Sequence, residues 1–215
     1  MSINNQNNER MEQTLIKRRS IRNYDSSYVI SKNEINEIIK IASYAPSAWN
    51  LQHWRFLVIT TKESKERLYP IANYQKQVLN ASVQVIILGD LHAYDNYAKV
   101  FSPLMKSGFL SEDIYKKIEG DIHSFYKDNF EAMRDDAIRN ASLCAMQLMI
   151  AAELKGLNTC PMTGFNSEKL VQEFSIPNQY IPVMIISVGK AINPARRTIR
   201  LPIKELITYE TFENK

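Results

Sequence analysis

The stretch "SAWNLQHWRFLVI", residues 47–59, decides how the rest of the chain is read. Its second half, from Arg55, is a run of apolar and β-branched residues that predicts a strand over 55–60. Its first half holds both tryptophans of the chain, Trp49 and Trp54, together with Asn50, Gln52 and His53. Pro46 stops whatever helix precedes it. The stretch is therefore a corner from helix to strand, and two readings of the corner stand. It is a buried tryptophan pair whose amides and imidazole find partners in the core, or a turn whose polar groups face a pocket for a heteroaromatic ligand.

Working outward, "SKNE" at residues 31–34 is a capping-box signature, and Ile35, Ile38, Ile39 and Ala42 lie on one face of the helix it opens. Before it, a helix carries Met11, Leu15 and Ile16 and ends near an arginine pair, while the polar, Asn-rich residues 1–8 are expected to fray. Beyond the corner, short helices are expected over 62–69 and 75–80, and a buried strand over 83–88. Residues 93–130 read as a polar helical excursion studded with aromatics. The longest helix is expected over 135–155. Its face of Ala137, Ala141, Cys144, Ala145, Leu148 and Ala152 suits close approach, at the centre of the protein or at a dimer seam. Ser167 is expected to cap a short helix, and 181–188 reads as a strand. Three or four strands alternating with seven or more helices make an α/β or α+β layered fold.

The 215 residues carry a formal net charge of +4, and this mild balance lacks the dense basic stripe of a nucleic-acid binder. The basic residues cluster instead in "KRRSIRNY" (17–24) and "ARRTIRLP" (195–202), each able to serve one small anion through guanidinium groups. Each is equally a solvated charge cluster when taken alone, and the first would also suit a helix C-terminus. "PMTGF" (161–165) is either a connecting turn or a place where Gly164 lets backbone approach a ligand. Cys144 and Cys160 lack metal-ligand spacing, and His53, His92 and His123 do not pair with them, so no metal is expected and free thiols in a reducing, cytoplasmic setting are. No apolar run reaches the about 20 residues that span a bilayer, and the N-terminus has no signal-peptide pattern. GxGxxG, Walker A, GxSxG and HExxH signatures are missing, so redox chemistry would have to come from a cofactor.

Taken in order, "RRSIRNY", "APSAWNLQHWRFLVI", "NYQKQVLNAS", "PMTGF" and "RLP" resemble the FMN-dependent nitroreductase family, over about residues 15–206. The wording around residues 47–59 is most similar to NAD(P)H nitroreductases of Gram-positive bacteria. The resemblance implies an α+β fold, a three-layer α/β/α sandwich on a mixed, mostly antiparallel sheet, in an intertwined homodimer with FMN at the interface. It divides the chain into a flexible N-terminus (1–8), an FMN-binding domain (9–202) with a helical lid (93–130), and a C-terminal extension (203–215) docked on the partner subunit.

It also implies roles. Arg18, Arg19 and Ser20 match the flavin-binding triplet at the phosphate and ribityl end, and Arg22 a cation near flavin N1. Pro46, Ser47, Ala48 and Asn50 match the loop offered to the partner's flavin. Gln75 and Gln77 match the pyrimidine-edge ligands; Pro161, Met162, Thr163 and Gly164 match the segment along the ring; Arg197 and Arg200 match the C-terminal phosphate ligands. Gln77 stands where some members have Lys, Thr163 where the best-known members have Glu, and Thr198 where some have Lys. The implied activity is ping-pong hydride transfer from NADH or NADPH through flavin N5 to nitroaromatic or quinone-type acceptors, with no catalytic side chain. The alternatives are a non-catalytic flavin-binding or regulatory protein, a flavoenzyme of the same fold with other chemistry such as reductive dehalogenation, or a basic interaction domain with no flavin.

Overall fold

Every residue of strand β2 (Val83–Asp90) is buried, and the rest of the molecule is arranged around it. The computed structural model describes residues 3–212. β2 pairs with β1 (Trp54–Ile59) on one side and β4 (Tyr180–Gly189) on the other, and β4 pairs with β3 (Asn158–Met162), giving the order β1-β2-β4-β3. Leu57 faces Ile86, Ile86 faces Ile185, and Pro161 faces Ile186 across the ladders.

All three strand pairings are antiparallel, and among the described residues parallel pairing enters at the bridge Ser20–Thr159. β3 is an edge strand, and this is what lets it carry Pro161. A register shift falls between Ile87 and Leu88.

The period-two alternation of β2 and β4 sorts side chains to two faces. Val83, Val85, Ile87, Ile186 and Val188 pack against α2 (Lys32–Ala42) and α7 (Phe130–Leu154). Ile86, Leu88 and Ile185 pack against α3 (Lys62–Ile71), α4 (Gln77–Asn80) and α8 (Ser167–Glu173). The result is the expected three-layer sandwich. The capping box of α2 is present, with Ser31 accepting from Glu34 and Glu34 accepting from Ser31.

Helix α1 runs over Ile3–Lys17, so the backbone has no break at residue 8; no Gly or Pro interrupts it. Met1 and Ser2 lie outside the described residues. α7 starts at Phe130, five residues earlier than its periodicity predicts, because Asn129 caps it by accepting from Ala132. Asn166, not Ser167, caps α8. The small residues of α7 face the sheet and α2, which makes that face the centre of the subunit.

The excursion between β2 and α7 is a 3-10 turn (Ala93–Asn96), α5 (Tyr97–Lys106) and α6 (Glu112–Tyr126). It builds its own small core from Ala93, Ile122 and Tyr126, into which Leu51 of the corner inserts. The chain closes with α9 (Ile203–Leu206), and residues 213–215 of the expected extension lie outside the described residues. No helix among the described residues is long and apolar enough to cross a membrane.

Candidate functional site

After α1 the chain crosses the edge of the sheet and is stitched to it. Ile21 donates to the Thr159 carbonyl at 3.0 Å, and the Tyr24 hydroxyl donates to the Ser187 carbonyl at 3.3 Å. Ile21 and Tyr24 go into the core, so Ser20, Arg22 and Asn23 are left on the outer side. There they line a cleft of about 430 Å³ with Asn193, Pro194, Ala195 and Arg196.

Arg18 is half-buried beside this segment, and its Nη1 is buried without a hydrogen-bond partner. A guanidinium nitrogen withdrawn from water with no acceptor is costly; the Glu153 carboxylate is within electrostatic reach of Arg18, and an anionic ligand would give Nη1 a direct acceptor. Arg19 is used differently: its Nη1 donates to the carbonyls of Ile16 and Arg18, closing the end of α1.

β3 forms the floor. Burial pushes the Cys160 thiol upward in pKa, and Arg22, Arg18 and bonds from Gln77 and Ser20 pull against that. One buried residue is thus reached by both the basic segment and a row of amides. The Gln77 side chain donates to Met162 Sδ at 3.2 Å and to Gln75 Oε1 at 3.1 Å. Gln75 Nε2 and Asn73 Nδ2 both donate to the Gly164 carbonyl, at 3.1 and 2.9 Å.

Gln84 explains why α4 sits where it does. Its buried amide donates to the Gln77 and Val78 carbonyls, both at 3.1 Å, and accepts from Ser187 at 2.7 Å. Asn73 and Tyr74 turn the chain into α4 through left-handed conformations, with φ of 53° and 56°. The sequence reading did not assign Asn73 to the site. The signal was available, because Asn tolerates that conformation better than most residues.

Arg18, Ser20, Arg22, Gln75, Gln77 and the run Pro161, Met162, Thr163 and Gly164 therefore meet along one edge. Thr163 and Gly164 are exposed there. Arg197 and Arg200 are not brought to the cleft of this chain. Both are exposed, Arg200 Nη1 donates to Thr198 Oγ1 at 2.9 Å, and Arg196 takes the lining position.

Pro46, Ser47, Ala48 and Asn50 lie elsewhere, on a 3-10 turn (Ala48–Asn50) packed on the α5–α6 excursion. Trp49 packs tilted against Phe125 at 5.2 Å and edge-on against Tyr126 at 5.8 Å and stays 36% exposed, whereas Trp54 is core. Pro46 and Asn50 face outward from the subunit.

A cationic cleft that runs into a row of amides beside an exposed glycine suits a ligand with an anionic tail and a hydrogen-bonding ring, and it sits on a three-layer α+β sandwich. The chain belongs to the nitroreductase family, whose model, "Nitroreductase family", matches residues 15–190. It is 45% identical over 192 residues to "Putative NAD(P)H nitroreductase YodC" of Bacillus subtilis (strain 168), covering 89% of this chain and 95% of that one. A Bacillus subtilis structure described as the nitroreductase ydfN superposes with a TM-score of 0.90 at 35% identity, covering 94% of this chain and 99% of that chain. A structure from Exiguobacterium sibiricum 255-15, described as a nitroreductase in complex with FMN, gives a TM-score of 0.87 at 32% identity, covering 93% and 97%.

Proposed function

We propose that this chain is an FMN-dependent NAD(P)H oxidoreductase that works as a cytoplasmic homodimer and reduces nitroaromatic or quinone-type acceptors. The observation that carries the reading is the unpartnered, buried Nη1 of Arg18, beside Ser20 and Arg22 and across β3 from Gln75, Gln77 and Gly164. Membership of the nitroreductase family and the FMN complex of the Exiguobacterium relative support it.

The residues fit such a cofactor by chemistry. Arg18, Ser20 and the cleft arginines Arg22 and Arg196 would hold the phosphate and the adjoining chain. Gln75 and Gln77 offer amide donors and acceptors to a pyrimidine edge. Gly164 has no side chain, so backbone can approach the ring. When bound, FMN would supply hydride acceptance from NADH or NADPH and donation to an acceptor. The protein's own contribution is to bind, orient and exclude water, and no side-chain acid or base is required.

The homodimer is supported by apolar surface that the subunit leaves uncovered. Ile199, Leu201, Ile203, Leu206 and Tyr209 of the C-terminal segment are exposed, as are Leu143, Met146 and Leu154 of α7. A second copy would cover them, with the C-terminal extension docked on it. The outward-facing turn with Pro46, Ser47, Ala48 and Asn50 would then lie over the partner's cofactor, and Arg197 and Arg200 would reach a phosphate once their segment is docked on that copy. The α5–α6 excursion would act as the lid.

The test is spectroscopic. Purified protein should be yellow with one FMN per chain, and anaerobic NADH or NADPH should bleach it. Nitroaromatic or quinone acceptors should restore the colour. Bound flavin that neither nucleotide reduces would refute the reading.

A further inference from the structure

Two polar residues on the buried side of α7, Asp136 and Asn140, are 6% and 3% exposed. They lie one turn apart, and Asn140 Nδ2 donates to the Asp136 carbonyl at 2.7 Å. Each has a second partner outside its helix. Asn140 Oδ1 accepts the backbone N–H of Ala48 at 3.0 Å, and Asp136 Oδ2 accepts the Tyr126 hydroxyl at 2.8 Å. Arg139 donates to the other Asp136 oxygen, and His53 Nε2 lies 3.3 Å from the Tyr126 oxygen. One side-chain pair therefore grips both the 3-10 turn at Ala48 and the last residue of α6.

The turn needs such a grip. Trp49, Asn50 and Gln52 have φ of 47°, 53° and 54°. Asn tolerates the left-handed region, but Trp and Gln rarely enter it. Such conformations persist only where the surroundings over-determine them. The ties here are the Asn140 acceptor, the bond from the Gln52 N–H to Ser47 Oγ at 3.0 Å, Leu51 buried among Ala93, Ile122 and Tyr126, and Trp49 packed on Phe125. Three of these four join the turn to α7 or to the excursion.

We propose that Asn140 and Asp136 are positioning residues that lock the Ala48–Asn50 turn and the end of α6 into one unit, and so set the geometry of the wall this unit presents to the cofactor and acceptor. The assignment of the wall rests on the function proposed above; the lock itself does not. Both side chains are spent on bonds within the chain. They act through Ala48 and Tyr126.

The test uses the 215-residue, FMN-loaded protein and two variants. Asn140→Ala removes the acceptor of Ala48. Tyr126→Phe removes only the hydroxyl and keeps the ring, and it reports on the lock should Asn140→Ala not fold. Amide exchange over residues 46–53 should speed up on the order of tenfold in each, the scale of one buried hydrogen bond, while exchange in β2 and β4 is unchanged. The double variant should exceed the larger single effect by little, because both act on one network. The FMN dissociation constant, read by flavin fluorescence, should rise on a similar scale. Unchanged exchange over 46–53 in both variants overturns the lock. Faster exchange with an unchanged FMN dissociation constant and an unchanged acceptor KM overturns the wall, and with it the placing of this turn in the proposed function, while the lock stands.

Discussion

Gly89 lies so close to Ala137 that a methyl group on it would sit 2.9 Å from the Ala137 carbonyl oxygen and 3.0 Å from the Ala137 methyl. The long helix rests on β2 at this point, backbone against backbone, so neither side can yield by changing a rotamer. Gly89→Ala should therefore destabilise the protein by about 1–3 kcal/mol, the usual cost of overpacking. A lower urea midpoint at an unchanged m value would show it. An unaltered midpoint would mean that α7 is free to lift from the sheet.

That contact also explains what could and could not be read in the sequence. The small residues of α7 were legible as a face built for close approach, yet their partner was not, because Gly89 reads locally as the end of a strand. β2 and β4 were legible as continuous apolar runs, and α2 through its capping box. β3 was hidden, since Pro161 and Gly164 read as a turn and only an edge position makes Pro161 compatible with a strand. In the candidate site, the order of motifs named Arg18, Ser20, Arg22, Gln75, Gln77 and Gly164, and the fold brings these candidates along one edge. Asn73 was missed because its part depends on a left-handed turn. Arg19 carried the charge of a ligand but is held by helix carbonyls, a choice set by its rotamer and not by its position in the motif.

His53 offers a pH test. It is 2% exposed, and burial lowers its pKa to about 4, against a smaller upward pull from Asp136. Its Nδ1 is buried and has no partner. The folded state thus holds a neutral imidazole, while the unfolded chain takes up a proton near the ordinary value of 6.5. The unfolded state binds more protons between those values, so stability falls as pH drops from 6.5 toward 4. The full effect is about 3 kcal/mol. In His53→Gln this part of the pH dependence should vanish, leaving only the carboxylates. Denaturant midpoints of both proteins at pH 7, 6, 5 and 4 would decide it, and parallel profiles would rule out the neutral buried imidazole.

Arg18 makes a prediction about which part of the cofactor it serves. If its Nη1, which has no hydrogen-bond partner in the chain, donates to the phosphate, Arg18→Ala should weaken FMN by roughly 10- to 100-fold, the worth of a hydrogen bond to a charged group. Riboflavin, which has no phosphate, should bind the variant and the parent alike. Adding Arg200→Ala should release most of the remaining FMN if both arginine groups converge on one phosphate. Equal losses for FMN and riboflavin would move Arg18 from the phosphate to the ring, and stoichiometric FMN in the double variant would remove both residues from the site.

The outer stripe of α7 is the last point at which geometry forces a choice. Leu143, Met146 and Leu154 follow helical spacing on the side away from the sheet and are 45%, 41% and 52% exposed. Exposed apolar residues scattered singly are ordinary, whereas a stripe of them at helical spacing, with Leu15 and Ile16 of the neighbouring α1 exposed as well, is the face that the proposed second copy would cover. Placing two like charges there, as Leu143→Glu with Met146→Glu, would oppose a copy of the same face in a symmetric dimer. The expected product is a folded monomer by sedimentation, with unchanged far-ultraviolet circular dichroism. It should also have lost FMN, because the turn bearing Asn50 could no longer reach a neighbour's cofactor. A variant that stays dimeric would place the subunit contact elsewhere. A monomer that keeps its FMN would show that a single chain completes the site, and the outward-facing turn would then need another role.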